Sequence, residues 1–144
     1  MKKIRLLLLC FITAAYLTGC VSLPDEALIA EANGLSEPCK KLFLATPADC
    51  RNDKSLCTSN NGVPNVYSYQ EAAQGSQYAA FSVIENEKNE VVSCVWNAAG
   101  YLRGWSYVEN AVLSSCERHR MGLIDRDGAA LKPCRIFARN NDVQ

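Results

Sequence analysis

Eight cysteines among 144 residues constrain this chain more than any other feature. So many thiols in so short a chain are out of place in a reducing compartment. In an oxidising one they become cross-links that brace a small fold. The first residues decide which compartment applies. Met1-Lys2-Lys3-Ile4-Arg5 carries three cations and runs directly into the apolar stretch Leu6-Leu7-Leu8-Leu9-Cys10-Phe11-Ile12-Thr13-Ala14-Ala15-Tyr16-Leu17. A cationic end stays on the cytoplasmic side, and an apolar run of this length is too short to span a hydrocarbon core of roughly 30 Å as a stable helix. The plan is that of a signal peptide, which targets the chain for export and is then removed.

The apolar run ends in Leu17-Thr18-Gly19-Cys20. This resembles the lipobox of bacterial lipoproteins at all four positions. The resemblance implies cleavage after Gly19, a diacylglyceryl group on the Cys20 thiol and a further acyl chain, such as palmitate, on its new amino group. One chain binds a bilayer reversibly at about 0.8 kcal/mol per buried methylene, whereas two or three make release negligible. The expected partner of the anchor is thus the membrane itself, reached without a spanning segment. In enteric-type bacteria Asp directly after the lipidated Cys favours retention in the inner membrane. Here Val21 and Ser22 follow, which by the same resemblance implies the outer membrane, on its periplasmic face or at the cell surface.

Loss of residues 1–19 leaves 125 residues, the size of a single domain able to bury a core. It also leaves 12 basic against 15 acidic residues, a net charge of about −3, and no nucleic-acid partner is expected. The charge is uneven. Residues 20–100 hold ten acids and five bases, and residues 101–144 hold five acids and seven bases, a mild basic bias most simply read as solvated surface. Cys10 departs with the signal and Cys20 carries lipid, so Cys39, Cys50, Cys57, Cys94, Cys116 and Cys134 remain. Six oxidised cysteines predict three disulfides, with fifteen pairings open. No pair stands as C-x-x-C, which excludes thioredoxin-like and haem-attachment motifs, and the sole histidine, His119, cannot complete a Cys₂His₂ zinc site. No cofactor and no metal are expected.

Residues 20–35 read as anchor and tether, with a brief helix capped by Ser22, carrying Pro24 and Asp25 in its first turn and ending at Gly34. Residues 36–144 read as one domain. Ser36 and Pro38 start a helix through Leu44, and Thr46-Pro47-Ala48-Asp49 is a cap, a first-position proline and an acid of the first turn. Thr58-Ser59-Asn60-Asn61-Gly62-Val63-Pro64-Asn65 is a loop of turn formers. Within this helical or irregular region three cysteines lie close together, and at least one must reach elsewhere or stay free. Ser68-Tyr69-Gln70-Glu71 fits a capping box before a short helix closed by Gly75.

Residues 77–85 and 90–96 are β-rich runs separated by a polar stretch of hairpin length, and Asn97-Ala98-Ala99-Gly100 reads as a turn. A second capping box, Ser106-Tyr107-Val108-Glu109, opens a helix to about His119, whose stripe of Val108, Ala111, Val112, Ser115 and Cys116 should face a sheet. Gly122 and the polar turn Asp125-Arg126-Asp127-Gly128 follow. Residues 132–139 then alternate as a strand with Cys134, Ile136 and Ala138 on one face. The fold class expected is α+β: a small disulfide-braced domain with a β-β-α-β layer after a Cys-rich helical region. A helix cysteine facing a strand cysteine makes Cys116–Cys134 the preferred bridge. An aromatic, a capped helix, a helix Cys and then Cys134-Arg135-Ile136-Phe137-Ala138 resembles small uncharacterised secreted bacterial domains with disulfides, a likeness that carries no activity.

No catalytic constellation is legible. Gly104-Trp105-Ser106-Tyr107-Val108 lacks the second glycine of a nucleophile elbow, and His119, between Arg118 and Arg120, most simply complements a helix dipole. Asp125-Arg126-Asp127-Gly128 lacks the later ligands of a calcium loop, and Glu85 and Glu87 lie in or beside a hairpin where solvated charge is ordinary. Trp96 and Trp105 read as core. Tyr101, Arg103 and Tyr107 combine residue types that dominate protein interfaces and form the candidate binding surface. The expectation is a non-enzymatic lipoprotein that binds an envelope protein or a cell-wall component. A protective lipoprotein, acting as inhibitor, immunity or exclusion factor against a toxin or phage, is the alternative.

Overall fold

The computed structural model describes residues 25–57, 67–75, 77–100 and 102–144. Cys20 and the lipobox, Ser22, Pro24, the turn cluster 58–65 and Tyr101 lie outside the described residues. The architecture is α+β. In chain order it runs α1 (Glu26–Glu31), a 3₁₀ turn (Ala32–Gly34), α2 (Glu37–Leu44), α3 (Pro47–Asn52), a 3₁₀ turn (Lys54–Cys57), α4 (Tyr69–Gln74), β1 (Gln77–Glu85), β2 (Val91–Gly100), α5 (Gly104–Asp127), β3 (Arg135–Arg139) and β4 (Asp142–Val143). The strands form one sheet in the order β2-β1-β3-β4 with every pairing antiparallel.

β1 explains the layering. Ala79 to Ile84 are all buried, polar Ser82 included, because the strand lies inside the sheet and both its faces are covered. On one face Ala79, Phe81 and Val83 join Leu28, Leu35, Phe43, Tyr69, Trp96 and Phe137 in a core roofed by the N-terminal helices. On the other, Ala80, Ile84 and Val95 meet Val108, Val112 and Cys116 of α5, so the expected helical stripe does face the sheet. Ser82 stays satisfied by donating to the Arg135 carbonyl at 2.9 Å.

The N-terminal helices start where their caps permit. Asp25, expected in the first turn, instead caps α1 by accepting from the Leu28 amide at 2.7 Å. Thr46 and Asp49 form a reciprocal capping box on α3, and the hydrogen bonds from the Thr46 amide and hydroxyl hold the Asp49 carboxyl below its usual range. Ser68 accepts from the Glu71 amide and Gly75 closes α4.

Four expectations are corrected. β2 continues through Asn97-Ala98-Ala99-Gly100, because those residues pair in register with Gln77 to Ala80. α5 begins at Gly104, whose φ of +69° suits glycine, so Ser106 lies inside the first turn and caps nothing. Gly122 does not stop α5. The helix runs to Asp127 and ends on Gly128 at φ +64°, turning the polar 125–128 stretch into its last turn and C-cap. Finally, Phe81 pairs with Ala138 but Ser82 with Ile136, so Phe137 is the extra residue of a β-bulge. The bulge breaks the alternation of β3: Cys134 and Ile136 face α5, whereas Ala138 joins Phe137 on the opposite face.

Three disulfides brace the fold, two of them between layers. Cys39 of α2 bridges to Cys94 of β2, Cys50 to Cys57 within the helical region, and Cys116 of α5 to Cys134 just before β3. The preferred Cys116–Cys134 bridge is therefore present, and Cys39 is the cysteine of the N-terminal three that reaches elsewhere. Beside Cys116–Cys134, Glu117 accepts from the Arg120 guanidinium at 2.7 Å and from the Cys134 amide at 2.6 Å. These bonds, the Arg120 one foremost, hold its carboxyl below the ordinary range. A carboxyl depressed in the folded state contributes stability above its unfolded value, about 4.3, and loses it as pH falls below that. Glu117→Gln is expected to lower the melting temperature at pH 7, with the gap to the parent narrowing below about pH 4; thermal melts giving an equal gap at both pH values would refute this role.

Candidate functional site

Two places on the surface bring chemically useful side chains together. The first is the tip between β2 and α5. The Arg103 amide donates to the Gly100 carbonyl at 3.1 Å, and the tight turn that results pushes Leu102 wholly into solvent. Arg103 and Tyr107 then sit one helical turn apart, and the guanidinium lies 4.6 Å over the Tyr107 ring centroid. A stack of this kind at an exposed site is worth about 0.5–1 kcal/mol and holds the cation in place. Two of the three residues expected to form a binding surface are thus neighbours, while Tyr101 lies outside the described residues. Leu102 was missed. Its signal is a bulky aliphatic residue in a short turn between Gly100 and Gly104. Trp96 is buried as expected, whereas Trp105 is only half-buried, edge-on to Tyr78 at 5.0 Å.

The second place is a groove of about 480 Å³ lined by β2 together with α2, the 54–57 turn and α5. There Ser93 and His119 meet, Oγ to Nε2 at 2.9 Å. This corrects the expected role of His119: α5 runs two further turns beyond it, so the ring faces a strand rather than a helix end. The pair holds two parts of a nucleophilic site, a hydroxyl and a base within hydrogen-bond reach. Among the described residues no carboxylate is hydrogen-bonded to the ring's second nitrogen. Glu37, Lys41 and Asp53 line the same groove, and hydrogen bonds from the Ser55 hydroxyl and amide keep the Asp53 carboxyl below its usual range.

Elsewhere, two of the carboxylates singled out in the sequence are paired with arginines. Glu85 accepts from Arg135 at 3.0 Å, and Asp127 pairs with Arg126 at 2.9 Å inside the last turn of α5, where no calcium loop forms. Among the described residues no group of three or more His, Cys, Asp or Glu side chains could hold a metal ion. Nor, among them, is any helix long and apolar enough to cross a membrane.

Comparison with family models, with curated proteins and with solved structures found no match. The class is therefore defined by the chain's own architecture: an α+β domain whose four-stranded sheet is covered on both faces by helices and cross-linked by three disulfides.

Proposed function

We propose that this chain is a bacterial lipoprotein held by lipid on Cys20 in the outer membrane, facing the periplasm or the cell surface, and that it acts without catalysis by binding an envelope protein or a cell-wall component. The anchor is supported by the four-residue match ending at Cys20. It is supported further by the arithmetic of the thiols, since the six cysteines of the domain pair with one another and leave the Cys20 thiol outside the disulfide set, available for acylation. The observation that carries binding is Leu102. A fully exposed leucine stands beside an Arg103–Tyr107 stack, and arginine and tyrosine are the residue types enriched at protein interfaces.

The test is photo-cross-linking in cells from positions 102 and 107 of the full chain with Cys20 intact. One dominant adduct, lost in a Leu102→Asp variant that remains lipidated, is expected. Adducts no different from those of an unrelated lipid-anchored control would overturn the binding reading. Mass spectrometry of the same preparation should place two or three acyl chains on an N-terminal Cys20; a lipid-free N-terminus would overturn the anchor.

A further inference from the structure

We infer that the outer edge of β2 is a docking site for an extended polypeptide segment of another protein, which adds to the sheet as a further strand through main-chain hydrogen bonds. This deepens the binding reading above and rests on it. β2 is outermost in the sheet, pairs with β1 alone, and among the described residues no strand lies on its other side. Natural edges are blunted by charge, proline or brevity, because a bare row of N–H and C=O groups templates further pairing. The opposite edge, β4, is two residues long. β2 is ten residues long, Val91-Val92-Ser93-Cys94-Val95-Trp96-Asn97-Ala98-Ala99-Gly100 contains no charged residue and no proline, and beyond the bulge at Val92 the strand runs in unbroken register from Ser93 to Gly100.

The groove lies along this edge rather than on a sheet face. It is lined by Val92, the extra residue of a β-bulge, by Ser93, which bonds to His119 of α5 on one face, and by Cys94, which bridges to Cys39 of α2 on the other, so the groove reaches both faces around the strand's edge. Its walls stand on both sides: Lys41 of α2 and Leu56 of the 54–57 turn against one face, His119 of α5 against the other. A single extended segment fits between such walls. A second copy of this chain pairing β2 with β2 would bring its own walls into the same space, which disfavours self-association as the occupant. Val92, exposed, offers an apolar contact, and the Ser93–His119 pair offers a donor and an acceptor beside the incoming main chain. Glu37 and Asp53 are accompanied by Lys41, so the groove presents both signs of charge, consistent with main-chain rather than charge-led recognition.

The experiment uses the full lipidated chain in detergent micelles, with a library of displayed random decapeptides as the probe. Selected peptides are expected to lose at least tenfold in affinity when alternate residues are N-methylated. A similar loss is expected against Val92→Lys, whose surface position leaves folding intact by melting temperature, and bound peptide should slow hydrogen exchange of β2 amides. The proposal is overturned if no peptide is selected, or if selected peptides are indifferent to N-methylation. It is overturned equally if the outer amides of β2 are already protected in the peptide-free protein, as a monomer covering its own edge or as a dimer. Should Val92→Lys still capture the cross-linked partner through positions 102 and 107, the edge assignment fails while the binding reading survives.

Discussion

Replacing Cys39 and Cys94 together by alanine is expected to cost about 4 kcal/mol of stability, the largest effect of any single bridge. The two cysteines lie 55 residues apart, against 18 for Cys116–Cys134 and 7 for Cys50–Cys57. Constraint of the unfolded chain grows with the logarithm of loop length, from about 3 kcal/mol for 15 residues to about 4.7 for 100. Position adds a structural consequence, because this bridge joins the N-terminal helical layer to the sheet. Guanidinium unfolding of the oxidised proteins measures the loss, and the near-ultraviolet signal of buried Trp96 and Tyr69 should weaken as the layer loosens. A loss below about 1 kcal/mol would mean that packing alone holds the layer.

Phe43→Ala should come close behind, at about 3–5 kcal/mol, the usual cost of truncating a buried phenylalanine. Phe43 is fully buried, with ring centroids 5.1 Å from Tyr69, 5.1 Å from Phe81 and 5.4 Å from Phe137. It therefore links α2, α4, β1 and β3, and the cavity left by its removal is lined by rings that cannot all shift inward. Its carbonyl also accepts from the buried Gln70 amide at 2.8 Å, a bond that depends on α2 staying seated. Leu102→Ala is the matched control: a fully exposed side chain should change stability by no more than about 0.5 kcal/mol. Urea melts giving Phe43→Ala and Leu102→Ala similar midpoints would refute this account of the core.

Much of the fold was legible where the local chain carries its own instruction. The Thr46–Asp49 box, the Ser68 cap, the β1–β2 hairpin and the α5 stripe each depend on residues within a few positions of one another. Cys116–Cys134 followed because the helix stripe and the strand each exposed one cysteine to the same interior. The candidate site was less legible. Arg103 and Tyr107 are helical neighbours and could be paired from spacing, but Ser93 and His119 are 26 residues apart and meet only because α5 lies across β2.

Sequence by itself determined the Thr46 and Ser68 caps, the buried stripe of α5 and the α+β class, since these are set by local sterics, hydrogen bonding and hydrophobic period. Tertiary structure decided where elements stop and which way residues face. Asn97 to Gly100, bounded by the turn formers Asn and Gly, become strand because β1 supplies partners for them. Gly122 costs about 1 kcal/mol in a helix interior, yet α5 passes through it because Leu123 still packs with the Val108–Cys116 core beyond it. Phe137 and Ala138 share a face because β3 bulges to match the register of β1. In each case burial and pairing contributed by residues far away in the chain exceed a local preference worth about 1 kcal/mol, which is why the local preference alone could not place them.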